Sequence, residues 1–261
     1  MNILDVMIDA VLNAGNILRK YYESGDFSVG QKTVSYDLVT SADKESQENI
    51  ISILSSKFPH IPIIAEEKEN MEKFERAFFV DPLDGTLNFV HKIPFFCISI
   101  GYWEDDIPKF GVVYDPIRSD LFYGIDGEGA FLNGKKIFTS SPPNLESSIF
   151  VTGWPYDKSK MGKAIDSANK ILKYTEYRAL GSSALELCYV AMWAFDGYWE
   201  YGLYPWDLAG GVLIAKEGGA VISKPSGEKF DLFDGEILAI SPTIYNEFIK
   251  VINSWEDSFI F

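Results

Sequence analysis

The chain has 261 residues, 47% of them hydrophobic and 15% aromatic, and carries 38 Asp and Glu against 23 Lys and Arg for a net charge of −15. That apolar content excludes a disordered chain, and the length suits one large domain or two fused subdomains. The charge argues against a nucleic-acid partner. Two His and no Cys cluster leave little to hold zinc, whereas abundant carboxylates suit Mg2+, Mn2+ or Ca2+.

The opening residues MNILDVMIDA lack the basic start of a secretory signal. The longest nearly uncharged apolar stretch, 93–103, is too short to cross a bilayer as a helix. A cytoplasmic protein with no membrane contact is expected, with Cys97 and Cys188 as buried free thiols. Leu4, Met7, Ile8, Val11, Leu12, Gly15 and Leu18 recur at helical spacing, so the chain opens with an amphipathic helix. Residues 23–37 read as a polar loop, followed by a second helix from just after Thr40 to about Lys57, before Pro59.

From 74 to 138, short apolar runs alternate with turn clusters. The runs 74–80, 95–103, 108–114 and 120–125 predict a mostly antiparallel meander, and Asn133–Gly134 predicts a tight hairpin. The stretch SSPPNLESS (140–148) is the best boundary, giving subdomains 1–142 and 143–261. Beyond it, strands at 148–153, 175–179, 197–201, 219–223 and 236–240 alternate with helices at about 160–173, 183–195 and 207–217, then a C-terminal helix.

The strongest chemical signal is FFVDPLDGTLNFVH (78–91). An apolar strand delivers Asp81 at its end, where Pro82 stops it, and Asp84 follows beside Gly85 and Thr86. Carboxylates at this spacing can share hard cations, while the Gly85 and Thr86 amides can hold a phosphate oxygen. In isolation Asp84 reads equally well as a helix N-cap and Asp81 as a turn residue. Glu66 in AEEKE (65–69), Asp43 in DLVTSAD (37–43) and Asp207 in YPWDLAGG (204–211) are further acids at strand ends or helix starts. Each has a local explanation: a solvated charge run for Glu66, a capping box with Thr40 for Asp43, an N-cap for Asp207. Convergence is what capping alone does not require.

Taken together, VDPLDGTLNFVH (80–91), PWDLAGG (205–211), AEE (65–67) and DLVTSAD (37–43) resemble the motifs of the inositol monophosphatase family, in order and over residues 4–255. The resemblance implies an α+β, layered α-β-α-β-α sandwich, with an antiparallel meander sheet followed by a smaller mixed α/β sheet and the site between them. It implies Mg2+ as cofactor, two or three ions with Mn2+ as a substitute. Glu66, Asp81 and the Leu83 carbonyl match ligands of a first ion, and Asp81, Asp84 and Asp207 those of a second; a third sits near Glu66 and, through water, Asp43. Thr86 with Asp43 matches the pair that orients the attacking water, and Lys32 the lysine of a catalytic loop. On the substrate side, Gly181, Ser182 and Ser183, with Asp84, Gly85, Thr86 and Asp207, match positions around the phosphate and the ring.

Glu200 matches the acceptor of a ring hydroxyl. Arg178 fits either a second phosphate or surface carboxylates, and Ser183 with Glu186 also fits a capping box. Leu87 departs from the second Thr of many members. The implied activity is hydrolysis of inositol 1-phosphate, fructose 1,6-bisphosphate or both by a homodimeric enzyme. The alternatives are a 3′-phosphonucleotide phosphatase, a non-catalytic factor that binds protein or RNA, and a structural Ca2+-binding protein.

Overall fold

The computed structural model describes residues 2–32, 38–66 and 74–254. Asn2 and Asp5 form a reciprocal cap on α1 (Ile3–Ser24), which ends at Gly25 with φ 71°. The helix therefore runs well past its periodic stretch. The stretch read as a loop contains β1 (Val29–Gln31), antiparallel to β2 (Leu38–Thr40). Residues 33–37, including Asp37 of the DLVTSAD motif, lie outside the described residues, as do 67–73 of the acidic run after Glu66. Helix α2 (Ser41–Lys57) starts on the Thr40–Asp43 capping box.

The first sheet has seven strands in chain order: β3 (Ile63–Ala65), β4 (Arg76–Asp84), β5 (Cys97–Glu104), β6 (Ile107–Asp115), β7 (Asp120–Ile125), β8 (Gly129–Leu132) and β9 (Lys135–Ile137). All neighbours are antiparallel except β3 beside β4, so the expected meander is present. Asn133 (φ 49°) and Gly134 (φ 78°) make the tight turn between β8 and β9. Pro82 does not end β4. The strand continues to Asp84 with an irregularity between Asp81 and Asp84, because a bulge tolerates a proline that a regular ladder does not.

The second sheet comprises β10 (Ile149–Thr152), β11 (Glu176–Arg178), β12 (Gly197–Tyr201), β13 (Val221–Ser223) and β14 (Glu236–Ile240), in the order β11-β10-β12-β14-β13. Its first three strands are parallel and the last two join antiparallel, a mixed sheet. Helices α4 (Lys158–Leu172), α5 (Ser183–Ala191), α6 (Pro205–Glu217) and α7 (Tyr245–Ile252) complete this half. Helix α5 is shorter than its pattern predicts, stopping at Ala191 just before Trp193 takes φ 67°.

Five layers result. Helices α1 and α2 cover one face of the first sheet, with Met7, Leu18 and Ile50 against Phe78, Ile98 and Ile100. Helices α5 and α6 fill the space between the sheets, where Leu187 and Leu208 meet Phe79 and Trp103 on one side and Tyr198 and Ile237 on the other. Helices α4 and α7 cover the outer face of the second sheet with Ile171 and Phe248 against Phe150 and Trp199. This is the layered α+β sandwich expected from the sequence. Helix α6 lies almost on the backbone of the first sheet: a Cβ at Gly111 would sit 2.2 Å from the Gly210 carbonyl oxygen, and one at Gly101 2.5 Å from the Ala209 carbonyl. That approach brings the first turn of α6, and with it Asp207, against the end of β4. Among the described residues no helix is long and apolar enough to cross a membrane.

Candidate active site

The β4 bulge turns Asp81, Leu83 and Asp84 into a cavity of about 130 Å3 that is also lined by Glu66, Thr86 and Asp207. Asp81 accepts a hydrogen bond from the Leu83 amide at 3.0 Å, which fixes one of its oxygens within the bulge. One oxygen of Asp84 accepts from the Ser182 hydroxyl and the Ala184 amide, both at 2.7 Å. Asp84 is therefore the last residue of a strand and not a helix cap; it joins the first sheet to the start of α5. The residue that opens the short helix α3 (Thr86–Val90) is Gly85, at φ 95°, where a Cβ would lie 3.1 Å from the carbonyls of Phe95 and Gly181.

Asp43 makes both of its expected contacts, to Thr40 and to Thr86. One oxygen accepts from the Thr40 amide at 2.8 Å and closes the cap of α2; the other accepts from the Thr86 hydroxyl at 2.9 Å. Thr86 also lies 3.0 Å from the Leu83 carbonyl, so its single proton has two acceptors. Lys32 meets Glu66 at 2.7 Å. Asp207 is the third residue of α6 and not its N-cap; its carboxylate accepts from the Tyr204 amide at 2.7 Å.

Gly181, Ser183 and Glu200 line the same cavity, and Tyr198 donates to Glu200 at 2.7 Å. The Ser183–Glu186 capping box is not formed, because Ser182 holds the N-cap position. Glu186 instead accepts from the amides of Leu180 and Gly181 at 2.9 and 3.1 Å, and so shapes the loop before α5. Arg178 does not line the cavity. It sits on the edge strand β11 and pairs with Glu176 at 3.0 Å, the surface-carboxylate alternative of the sequence reading. Two features had no clear signal in the sequence. Asn88 donates to the carbonyls of Phe95 and Leu180, both at 2.7 Å, and holds the two halves together. The cavity mouth carries Trp154, Tyr156 and Tyr204.

Burial and mutual repulsion dominate the electrostatics. Burial raises Asp43 to about 6 against the opposing bonds from Thr40 and Thr86. Burial likewise raises Asp84 to about 6 against Ser182 and Ala184, and Glu200 to about 7 against Tyr198. Asp81 and Asp207 are pushed well above the carboxylate range by burial and then by the neighbouring Glu66. The donors are all hard oxygens with Lys32 as the cation in contact, a set whose chemistry fits Mg2+ and not a thiophilic metal. Among the described residues no three acidic, His or Cys side chains already meet at ion-holding distance; Glu66 is drawn to Lys32.

In the metal-free protein these raised values mean that the folded chain binds more protons than the unfolded one between about pH 4 and 7. Stability is thus expected to fall as pH rises through that window. Saturating Mg2+ at pH 7.5 should restore it, raising Tm by roughly 5–10 °C, in thermal scans with and without EDTA. A Tm indifferent to Mg2+ at pH 7.5 contradicts the cation site.

Comparison with known proteins agrees with this architecture. The model of the inositol monophosphatase family matches residues 1–255. Inositol monophosphatase 3 of Solanum lycopersicum is 40% identical over 259 residues, covering 96% of each chain. The Nus factor SuhB of Pasteurella multocida is 36% identical over 253 residues, covering 95% of each. Among solved structures, the IMPase of Thermotoga maritima superposes with TM-score 0.88 at 34% identity over 97% of both chains. An IMPase/NADP phosphatase complexed with Mg2+ and phosphate gives 0.82 at 25% identity over 94% of this chain and 91% of its own. Fold and relatives together define a protein of the phosphatase class. The chain belongs to the inositol monophosphatase family.

Proposed function

We propose that the protein is a Mg2+-dependent phosphatase acting on small ring phosphate monoesters, with inositol 1-phosphate as the first substrate class and fructose 1,6-bisphosphate as the second. The observation that carries this reading is the Thr86–Asp43 hydrogen bond at 2.9 Å beside the carboxylates of Asp81, Asp84 and Asp207. Glu66, Asp81, the Leu83 carbonyl, Asp84 and Asp207 would hold the cations, with Mn2+ as a substitute. Bound divalent cations supply neutralisation of phosphoryl charge and acidify water.

The chain's own residues supply the alignment. By donating to Asp43, Thr86 turns an oxygen lone pair toward the cavity, where it accepts a proton of the attacking water. As that proton passes to Thr86, the hydroxyl proton passes to the Asp43 carboxylate, whose value near 6 suits a base at neutral pH. Asp84, fixed by Ser182 and Ala184, keeps its second oxygen for the cation. Glu200, held by Tyr198, accepts a hydroxyl of the substrate ring, and the Gly181 loop closes the opposite side. Lys32 adds positive charge beside Glu66. No His or Cys nucleophile enters this scheme.

Thr86→Val preserves shape and removes the hydroxyl. Its kcat on inositol 1-phosphate should fall by about 100-fold or more with KM little changed, the scale of a lost proton-transfer group. A variant within threefold of the parent contradicts the water-orienting role. A second reading is suggested by the relative named a Nus factor: a factor that binds protein partners, with the carboxylate site retained. Phosphate release from inositol 1-phosphate and from fructose 1,6-bisphosphate, each with Mg2+ and with EDTA, separates the two, and absence of release from both favours the factor. The phosphatase reading also carries a homodimer, tested by light scattering.

A further inference from the structure

The cavity has a wall that the proposed chemistry does not use. Residues 153–156 form a loop segment that packs on the second sheet's contribution to the site at Gly153 and Pro155. A Cβ at Gly153 would lie 2.2 Å from a Glu200 carboxylate oxygen, so a larger residue there would displace that acid from its present position. Pro155 is buried, and a Cβ at Gly202 would lie 2.9 Å from its ring, so the segment is also pinned at its middle. The residues on either side of this buried proline, Trp154 and Tyr156, remain 42% and 41% exposed and line the cavity mouth. Tyr204, 42% exposed, lines the same cavity and stacks on the buried Trp206 with centroids 4.9 Å apart and planes at 13°.

Large aromatic rings at the mouth of a polar cavity, carried on a closely packed backbone, offer a flat apolar surface to a ligand. The spacing limits what that ligand is. Trp154 directly follows Gly153, which packs on Glu200, and the cavity is only about 130 Å3. A single ring has to serve both contacts, presenting hydroxyls on its edge to Glu200 and a C–H face to the indole.

Resting on the phosphatase reading above, we propose that Trp154, supported by Tyr156 and Tyr204, is a specificity-determining platform that stacks on the C–H face of a cyclic polyol carrying the phosphate. The platform selects ring alcohols over acyclic ones. A nucleoside places its flat base one sugar further from the phosphate, beyond the ring that reaches Glu200.

The test compares kcat/KM with Mg2+ for inositol 1-phosphate, glycerol 2-phosphate and adenosine 2′-phosphate in the wild type, Trp154→Ala and Trp154→Phe. In Trp154→Ala the ratio of inositol 1-phosphate to glycerol 2-phosphate should fall roughly tenfold, the scale of one aromatic contact. Trp154→Phe, which restores a flat ring, should hold that ratio within about threefold of the wild type. An unchanged ratio in Trp154→Ala, with both rates lowered or neither, overturns the platform. So does a loss confined to adenosine 2′-phosphate, which would mean that the indole reads a base. Mg2+-dependent release from glycerol 2-phosphate without any ring preference sinks the platform alone. No release from any of the three by the wild type sinks the phosphatase reading and the platform with it.

Discussion

Asp84→Asn should lower kcat on inositol 1-phosphate by on the order of 10³-fold or more while leaving a folded and, without metal, more stable protein. The two effects share one cause. Asp84 is almost fully buried, is pushed to about 6, and adds repulsion to Asp81 and Asp207. An amide of the same shape removes that charge. Its oxygen still accepts from the Ser182 hydroxyl and the Ala184 amide, so the tie between β4 and α5 survives. What is lost is an anionic ligand, and with it charge neutralisation on the phosphoryl group. The expected pattern is a metal-free Tm above that of the wild type at pH 7.5, a weakened Mg2+-induced rise, and no measurable turnover. Near-normal hydrolysis in Mg2+ would sink the metal assignment of Asp84. A collapse of Tm without metal would mean that the residue is structural instead.

Gly111→Ala tests the opposite end of the architecture and should be the more damaging change to stability. The added methyl would sit 2.2 Å from the Gly210 carbonyl oxygen and 3.1 Å from its carbon, both backbone atoms of α6. No rotamer change relieves a clash between two backbones, so the helix has to lift from the sheet. Overpacking of this kind costs about 3 kcal/mol, which for a chain of this size is a fall in Tm of roughly 6–12 °C. Since Asp207 occupies the first turn of the same helix, lifting α6 also shifts a cavity carboxylate. Activity should therefore decline below the unfolding transition, measured alongside Gly127→Ala. Gly127 has nothing within 4 Å of its Cβ position but lies at φ 78°, and so reports only backbone strain. Equal losses in the two variants would mean that the close helix-on-sheet approach is not limiting.

Much of this was legible in local patterns. The α1 periodicity, the Thr40–Asp43 cap, the Asn133–Gly134 turn and the alternation after residue 148 each depend on residues within a few positions of one another, and the structure contains them. Where local reasoning went astray, a distant partner outweighed the local preference. Pro82 looked like a strand terminator, but pairing of Asp84 with Cys97 carries β4 past it. Glu186 looked like a capping residue for Ser183, but the free amides of Leu180 and Gly181 are better placed to donate to it. Asp207 looked like an N-cap, whereas α6 begins two residues earlier, at the favoured N-terminal position of Pro205.

The candidate site divides along the same line. By itself the sequence determined the family, through four motifs in family order, and pointed to a kind of chemistry: hard oxygen donors at strand ends and helix starts with a threonine beside them. A carboxylate is a hard oxygen donor wherever it stands, so residue type and spacing were enough to suggest the chemistry, while burial and neighbouring charges set how each one behaves. Only the tertiary structure decided which groups share a cavity. The Ser182 hydroxyl lies 98 positions from Asp84 in the chain yet donates to it, while Arg178, four residues before Ser182, points its charge at Glu176 instead. The aromatic mouth at Trp154, Tyr156 and Tyr204 was likewise invisible, since aromatic residues in a loop read as surface or core with equal ease. What settles such cases is the approach of backbones at Gly101 and Gly111 and of the Glu200 side chain to Gly153, a property of packed layers that no short window of sequence contains.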